Sequence, residues 1–142
     1  MIAPKGEKLT PAQEKKAYAD ATARDKGRCV RCGHPGPTER DHRQNRDPFN
    51  TTPANLQLLG GAFGCGCHRW KTENPRLAIL EGFAVPRYAR PELWPGWRVD
   101  DGWVIYFDAP DADGNWWRKI SESTAEFIMS SGGRGNGENP DN

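Results

Sequence analysis

The polar and apolar positions divide this chain into short elements separated by turns. Thr10 reads as an N-cap, Pro11 as a first helical residue and Gln13 as the partner of a capping box, which predicts a helix through "AQEKKAYADATARD" ending near Gly27. Its charged positions, among them Lys15, Lys16, Arg24 and Lys26, read as a solvated face, with contact to phosphates the lesser alternative. The stretch "RCVRCGHPGPTERDH" starts in a tight cysteine turn and leads into a short strand. A polar loop, "RQNRDPFNTTPANLQLL", turns at Asp47-Pro48 and closes on an apolar run. The glycine-rich "GGAFGCGC" precedes a helix carrying His68; Asn74-Pro75 ends it and opens a second one, "RLAILE", stopped by Gly82.

Beyond it, "FAVPRYARPELWPGW" is broken by proline and glycine and should wrap the surface. Residues 98–107 and 115–120 read as strands around the turn-rich "DAPDADG". Residues 1–9 read as a loose arm and "SSGGRGNGENPDN" as a disordered tail, and there is no internal repeat. The predicted class is α+β. Its parts are an N-terminal arm and helix (1–27), a central unit (28–82), a tryptophan-rich β-hairpin extension (83–130) and a tail (131–142).

Composition makes the core the weak point of this plan. Only 35% of the 142 residues are apolar, mean hydropathy is −0.88, and 16 glycines and 12 prolines imply many turns. A core this small calls for a staple, which four cysteines could supply. No run approaches the roughly 20 apolar residues of a membrane span. The N-terminus has no hydrophobic signal core, so a soluble, intracellular protein is expected. In a reducing compartment closely spaced cysteines are metal ligands more often than disulfides. The charge is uneven: 14 basic against 9 acidic side chains up to residue 81, and 6 against 10 after it, which hints that the first part meets a polyanion.

Cys29 and Cys32 form a Cys-x-x-Cys pair that can hold half of a tetrahedral Zn²⁺ site, and Cys65 and Cys67 are the candidates for the other half. The competing readings are a dithiol or free cysteines. A closed four-sulfur site has no open coordination position, so it would support the fold and perform no chemistry. His68 is then left over. It has a natural partner in "ERDHRQNR", where adjacent Asp41 and His42 on a strand point to opposite faces.

Together, "C-x-x-C … DH … N … CH-x-x-K" resembles the HNH endonucleases over residues 29–71. With "EGFAVPRYARPELWP" it looks like the small HNH proteins of actinobacterial phages to about residue 95. The resemblance implies a ββα-metal core in residues 28–82 and hydrolysis of DNA phosphodiester bonds, by nicking or double-strand cleavage. His42 would be the general base, Asp41 and His68 the holders of one divalent cation, and Asn55, in preference to Asn45 and Asn50, the brace of the loop. Lys71, one turn after His68, would face a phosphate, and Arg43, Arg46 and Arg69 are further phosphate clamps. Two protein ligands suit Mg²⁺ or Mn²⁺, and a histidine ligand also tolerates Zn²⁺ or Ni²⁺.

The sequence departs from that pattern at Gly60, where such proteins usually carry a cysteine. Either Cys65 substitutes through a bent loop, or the zinc has three sulfurs with His34 as a fourth ligand, although His34 reads better as a surface turn residue. Trp94, Trp97, Trp103, Trp116 and Trp117 read as cover for a small sheet in preference to base-stacking groups, and Trp70 as packing for its helix. The implied partners are DNA and phage packaging (terminase) proteins in the host cytoplasm. The competing function is a zinc-stabilised nucleic-acid-binding or scaffold module of a packaging system without catalysis. A redox role for Cys-x-x-Cys would need a βαβ context that is absent from the pattern.

Overall fold

The computed structural model describes residues 7–132, so the predicted tail from residue 133 and the first six residues of the predicted arm lie outside the described residues. Helix α1, Pro11–Asp25, begins as its cap predicts. Thr10 Oγ1 accepts from the Gln13 amide at 3.1 Å, and the Gln13 side chain accepts from the Thr10 amide at 2.8 Å. It ends at Lys26, whose φ of 56° is left-handed. Its buried alanines, Ala17 and Ala21, pack on Leu56.

Strands β1 (Thr38–His42) and β2 (Leu56–Gly60) form an antiparallel pair in which Asp41 faces Gln57 and His42 faces Leu56. All five residues of β2 are buried, because α1 covers one face while the other meets the cluster of Cys29, Val30, Cys67, Ala78 and Phe83 around Leu59. Helices α2 (Cys67–Glu73) and α3 (Pro75–Leu80) follow, joined at Asn74. Trp70 packs against the Leu59 cluster, as predicted.

The C-terminal part is richer than the hairpin predicted for it. Strands β3 (Gly96–Arg98), β4 (Gly102–Tyr106) and β5 (Trp117–Lys119) form an antiparallel sheet in chain order. The strand predicted over 98–107 is split, because Asp100-Asp101-Gly102 supplies a turn in which Gly102 adopts φ 80°. Helix α4, Glu122–Ser130, has no counterpart in the sequence reading. Ser121 caps it by accepting from the Thr124 amide at 3.0 Å, and Ile128 buries against a cluster containing Trp94 and Ile105.

The two sheets share no strand and are joined by buried arginines. Arg24, predicted on a solvated helix face, is instead enclosed. It grips the Asp25 carboxylate with Nε and Nη2 (2.8 and 2.9 Å) and donates to the carbonyls of Pro53 and Leu56 at 2.8 and 2.6 Å. Asp25 also accepts from Arg98 Nη1 at 2.6 Å and from the Leu58 amide at 3.1 Å, so a single carboxylate connects α1, β2 and β3. Arg24, Arg43 and Arg98 surround the Tyr106 ring at 4.5, 4.8 and 5.8 Å. Burial works to raise the Asp25 pKa, but the bonds and charges of Arg24 and Arg98 outweigh it and hold the carboxyl below its ordinary 3.8.

Asp25→Ala would leave Arg24 buried without its counter-charge and Arg98 with Asp101 in place of two carboxylates. It is expected to lower the stability of the folded chain by about 3–5 kcal/mol, read from the urea midpoint at unchanged m-value.

Candidate functional site

The cysteines converge. The sulfurs of Cys29, Cys32, Cys65 and Cys67 all lie within 4.8 Å of one another, and all four are free thiols. The first pair is shaped by a turn in which Gly33 adopts φ 80° and its amide donates to the Cys29 carbonyl at 2.8 Å. The second pair sits where the loop folds back before α2: the amides of Gly64 and Gly66 both donate to the Gly61 carbonyl, at 2.9 and 3.2 Å. This fold-back accounts for Gly60. A Cβ at residue 60 would stand 2.0 Å from Cys65 Sγ, so the sulfur of Cys65 occupies the space of a side chain at that position. His34 is not part of the cluster; its Nδ1 accepts from the Gly36 amide at 3.0 Å.

Burial pushes the Cys67 thiol up to about 12. Burial acts in the same direction on Cys65, but bonds from the Cys67 backbone and the neighbouring thiols bring it down to about 7. Thiols this close cannot all ionise unless a cation is shared among them. An all-sulfur set of four suits a tetrahedral metal ion such as zinc. Arg31, which sequence reasoning did not select, stands beside the cluster: Nη1 is 3.5 Å from Cys67 Sγ and the guanidinium lies 3.6 Å from the Trp70 ring centroid. It would offset part of the negative charge of a tetrathiolate.

A second group of side chains gathers at the end of β1. Asp41 is buried, and its Oδ2 accepts from Gln57 Nε2 at 2.9 Å; Gln57 also donates to the Phe83 carbonyl at 2.7 Å. From α2, His68 Nε2 comes to 3.3 Å of Asp41 Oδ1, while His68 Nδ1 is 2.6 Å from Glu39 Oε2. His42 turns to the opposite face, as strand alternation requires. Its Nε2 lies 3.0 Å from Thr51 Oγ1 and its ring stands edge-on to Tyr18 at 6.0 Å. Burial lowers the His42 pKa below 6.5 against the opposing pull of Asp41, which keeps the ring neutral near pH 7.

Asn55 is fully buried in the loop that follows β1. Its Oδ1 accepts from the Gln44 amide at 2.7 Å, and its Nδ2 donates to the carbonyls of Gln44 and Asn50 at 3.1 and 3.0 Å. Its carbonyl also accepts from the Arg43 amide at 2.7 Å. The loop that begins right after His42 is therefore pinned from both sides by one residue.

Two of the four predicted phosphate clamps are committed elsewhere. Arg43 is 1% exposed and donates to the carbonyls of Ala54, Pro91, Trp94 and Pro95 at 2.7–3.1 Å; burial brings its pKa down to about 10. It fastens the loop to the C-terminal part and presents nothing to a phosphate. Lys71 points inward, with Nζ 3.1 Å from Asp41 Oδ2 and 3.1 Å from the His42 carbonyl. Arg46 and Arg69 are accessible, paired at the surface with Glu14 and Glu73. Trp94 is buried, Trp97 and Trp103 pack edge to face at 5.5 Å, and Trp117 lies under Arg98 at 3.8 Å, so these rings cover the small sheet.

No family model, no curated protein and no solved structure matches this chain.

Gly60→Ala places a methyl group on the Cys65 sulfur and is expected to abolish tight zinc binding, whereas Lys15→Ala, at an exposed position of α1, retains one zinc per chain by native mass spectrometry. Chelation of the wild type should then cost most of its folding energy, since a structural zinc of this kind supplies on the order of 10 kcal/mol, and thermal unfolding by circular dichroism would register the loss.

Proposed function

We propose that this chain is a metal-dependent HNH endonuclease that hydrolyses DNA phosphodiester bonds, with His42 as general base. The observation that carries the reading is the meeting of two elements distant in sequence: Asp41 on β1 and His68 on α2 bring an oxygen and a nitrogen to 3.3 Å beside the strand end that also bears His42. The donor set is an acid and an imidazole, which fits a divalent cation with most of its coordination sphere left for water and phosphate.

In this mechanism Asp41 and His68 would hold the divalent cation, whose chemistry there would be Lewis acidity. His42, neutral and half-buried, takes the proton from the attacking water, and Thr51 fixes the ring through Nε2. Asn55 keeps the backbone after His42 in place. Gln57 holds Asp41 so that its Oδ1 stays directed at His68. Lys71, bound to Asp41 and to the His42 carbonyl, ties the acid and the base of the site together. Arg46 and Arg69 are the clamps free to meet the DNA backbone.

The second reading is a zinc-stabilised nucleic-acid-binding or scaffold module of a phage packaging system, working beside DNA and packaging proteins in the host cytoplasm without catalysis. One observation favours it: the Lys71 ammonium already gives the Asp41 carboxylate a cation, with which a metal would have to compete. Among the described residues no helix is long and apolar enough to cross a membrane.

Plasmid relaxation separates the two. Supercoiled DNA with Mg²⁺ or Mn²⁺ is expected to become open circles or linear molecules, with loss of about 10²–10⁴-fold in His42→Ala and full loss in a chelator of the divalent ion. Closed DNA under every metal would sink the nuclease reading and leave the module. A lowered pKa keeps the base unprotonated to lower pH, so the midpoint of the acid-side fall in cleavage should lie below the 6.5 of an ordinary histidine. A rate that already halves at pH 6.5 would show that a different group limits the reaction.

A further inference from the structure

One carboxylate at this site has no role in the resemblance. Glu39 lies two residues before Asp41 on β1, so both project from the same face of the strand. His68, from α2, enters between them. Its Nδ1 is 2.6 Å from Glu39 Oε2, and its Nε2 is 3.3 Å from Asp41 Oδ1. An ionised carboxylate can only accept, so a neutral ring in this position carries its proton on Nδ1 and turns the lone pair of Nε2 toward Asp41. Two acceptors facing each other at that distance repel unless something positive lies between or beside them. Lys71, on the same Asp41 oxygens, lies beside them.

The surroundings leave room for this arrangement. Gly61 lies across from Glu39, and a Cβ there would stand 3.2 Å from Glu39 Cγ, so the missing side chain is what lets the glutamate lie along the strand and reach the imidazole. Glu39 and His68 are both partly open to solvent, while Asp41 is 6% exposed; the pair is therefore a lid of two polar groups over a buried ligand.

We propose that Glu39 is the positioning residue for His68: by holding the Nδ1–H tautomer and the ring orientation, it presents Nε2 beside Asp41 as a ligand for a divalent cation. This rests on the nuclease reading, in which Asp41 and His68 hold the metal. Glu39 acts through His68 and does not touch the cation or the phosphate. A carboxylate behind a ligating imidazole raises its basicity and fixes its direction, and removal of such a partner typically costs about 10–100-fold in metal affinity.

The test uses the zinc-loaded full chain, with Mn²⁺ as the probe in calorimetric titration and long-range ¹H–¹⁵N correlation spectra of His68 at pH 8. Wild type should show the Nδ1–H tautomer, and Glu39→Ala should revert to the Nε2–H form that predominates in free histidine. Its Mn²⁺ affinity should fall about 10–100-fold. Glu39→Gln, whose amide oxygen can still accept from Nδ1, should restore the tautomer and most of the affinity. Thermal unfolding should stay unchanged in both, because Glu39 is a surface side chain. If Glu39→Ala binds Mn²⁺ as tightly as wild type while His68→Ala and Asp41→Ala lose it, Glu39 has no such role and the metal reading survives. If neither His68→Ala nor Asp41→Ala changes Mn²⁺ affinity, the metal reading falls and this inference with it.

Discussion

The arrangement of the whole chain depends on the carboxylate of Asp25, buried between two guanidinium groups at the end of α1. Unpaired, an ionised group at that depth would not be tolerated. Here it has four donors: two from Arg24, one from Arg98 and the Leu58 amide. The last two tie β3 and β2 to the helix end, so the positions of both strands relative to α1 follow from a single charge. The Cys29–Cys32 turn begins four residues later. It inherits that placement through backbone bonds from Val30 to Leu58 and from Val99 to Val30. Since the folded-state pKa is depressed, the carboxylate contributes its stabilisation above the unfolded value of 3.8 and loses it as pH falls through the folded one.

A second constraint acts on the candidate site from the other side. The loop after His42 has little regular structure of its own, and its geometry is dictated by Asn55 within and Arg43 without. Among the described residues Arg43 has no carboxylate as a hydrogen-bond partner. Four carbonyl oxygens and the face of Tyr106 receive it instead. This solution trades the strength of an ion pair for reach: one side chain bonds residues on both sides of the junction between the ββα unit and the C-terminal sheet. The C-terminal part is thus a support for the loop that follows His42, which gives the tryptophan-rich segment a mechanical role independent of any contact with DNA.

Much of the fold was legible because local rules specify it. The Thr10 capping box, the prolines that open α1 and α3, the apolar run of β2 and the glycine-rich approach to α2 all work within a few residues. What escaped was decided over longer distances. In the sequence Arg24 looks like a solvated charge and Arg43 and Lys71 like phosphate contacts, and only the assembled fold shows that carbonyls and carboxylates await them inside. Cys65 as the substitute for a sulfur at residue 60 was one of two alternatives in the sequence, and the fold-back decides for it. Glu39 had a readable signal, its two-residue offset from Asp41, but its partner lies 29 positions away. Helix α4 was also readable, from Ser121 as a cap and apolar positions at Ala125 and Ile128, and was masked by the strands before it.

The cysteine cluster and the strand-end site share a helix too short to stand alone. At seven residues, α2 is well below the length at which an isolated helix is stable in water. Its first residue is Cys67 and its second is His68, and consecutive positions on a helix differ in direction by about 100°. That rotation sends the sulfur inward to the cluster and the imidazole across to β1, where Asp41 and Glu39 lie. Holding Cys67 therefore fixes the origin and the phase of α2, and with them the direction of His68. Asn74 closes the far end by donating to the Trp70 carbonyl at 2.9 Å, and Trp70 anchors the middle against Phe83. The four-sulfur cluster, which could hold a metal ion such as zinc, and the strand-end group are therefore coupled through the placement of Cys67 at the start of α2. Cys65, the ligand that arrives through the fold-back, keeps that cluster complete where the chain has no side chain at residue 60.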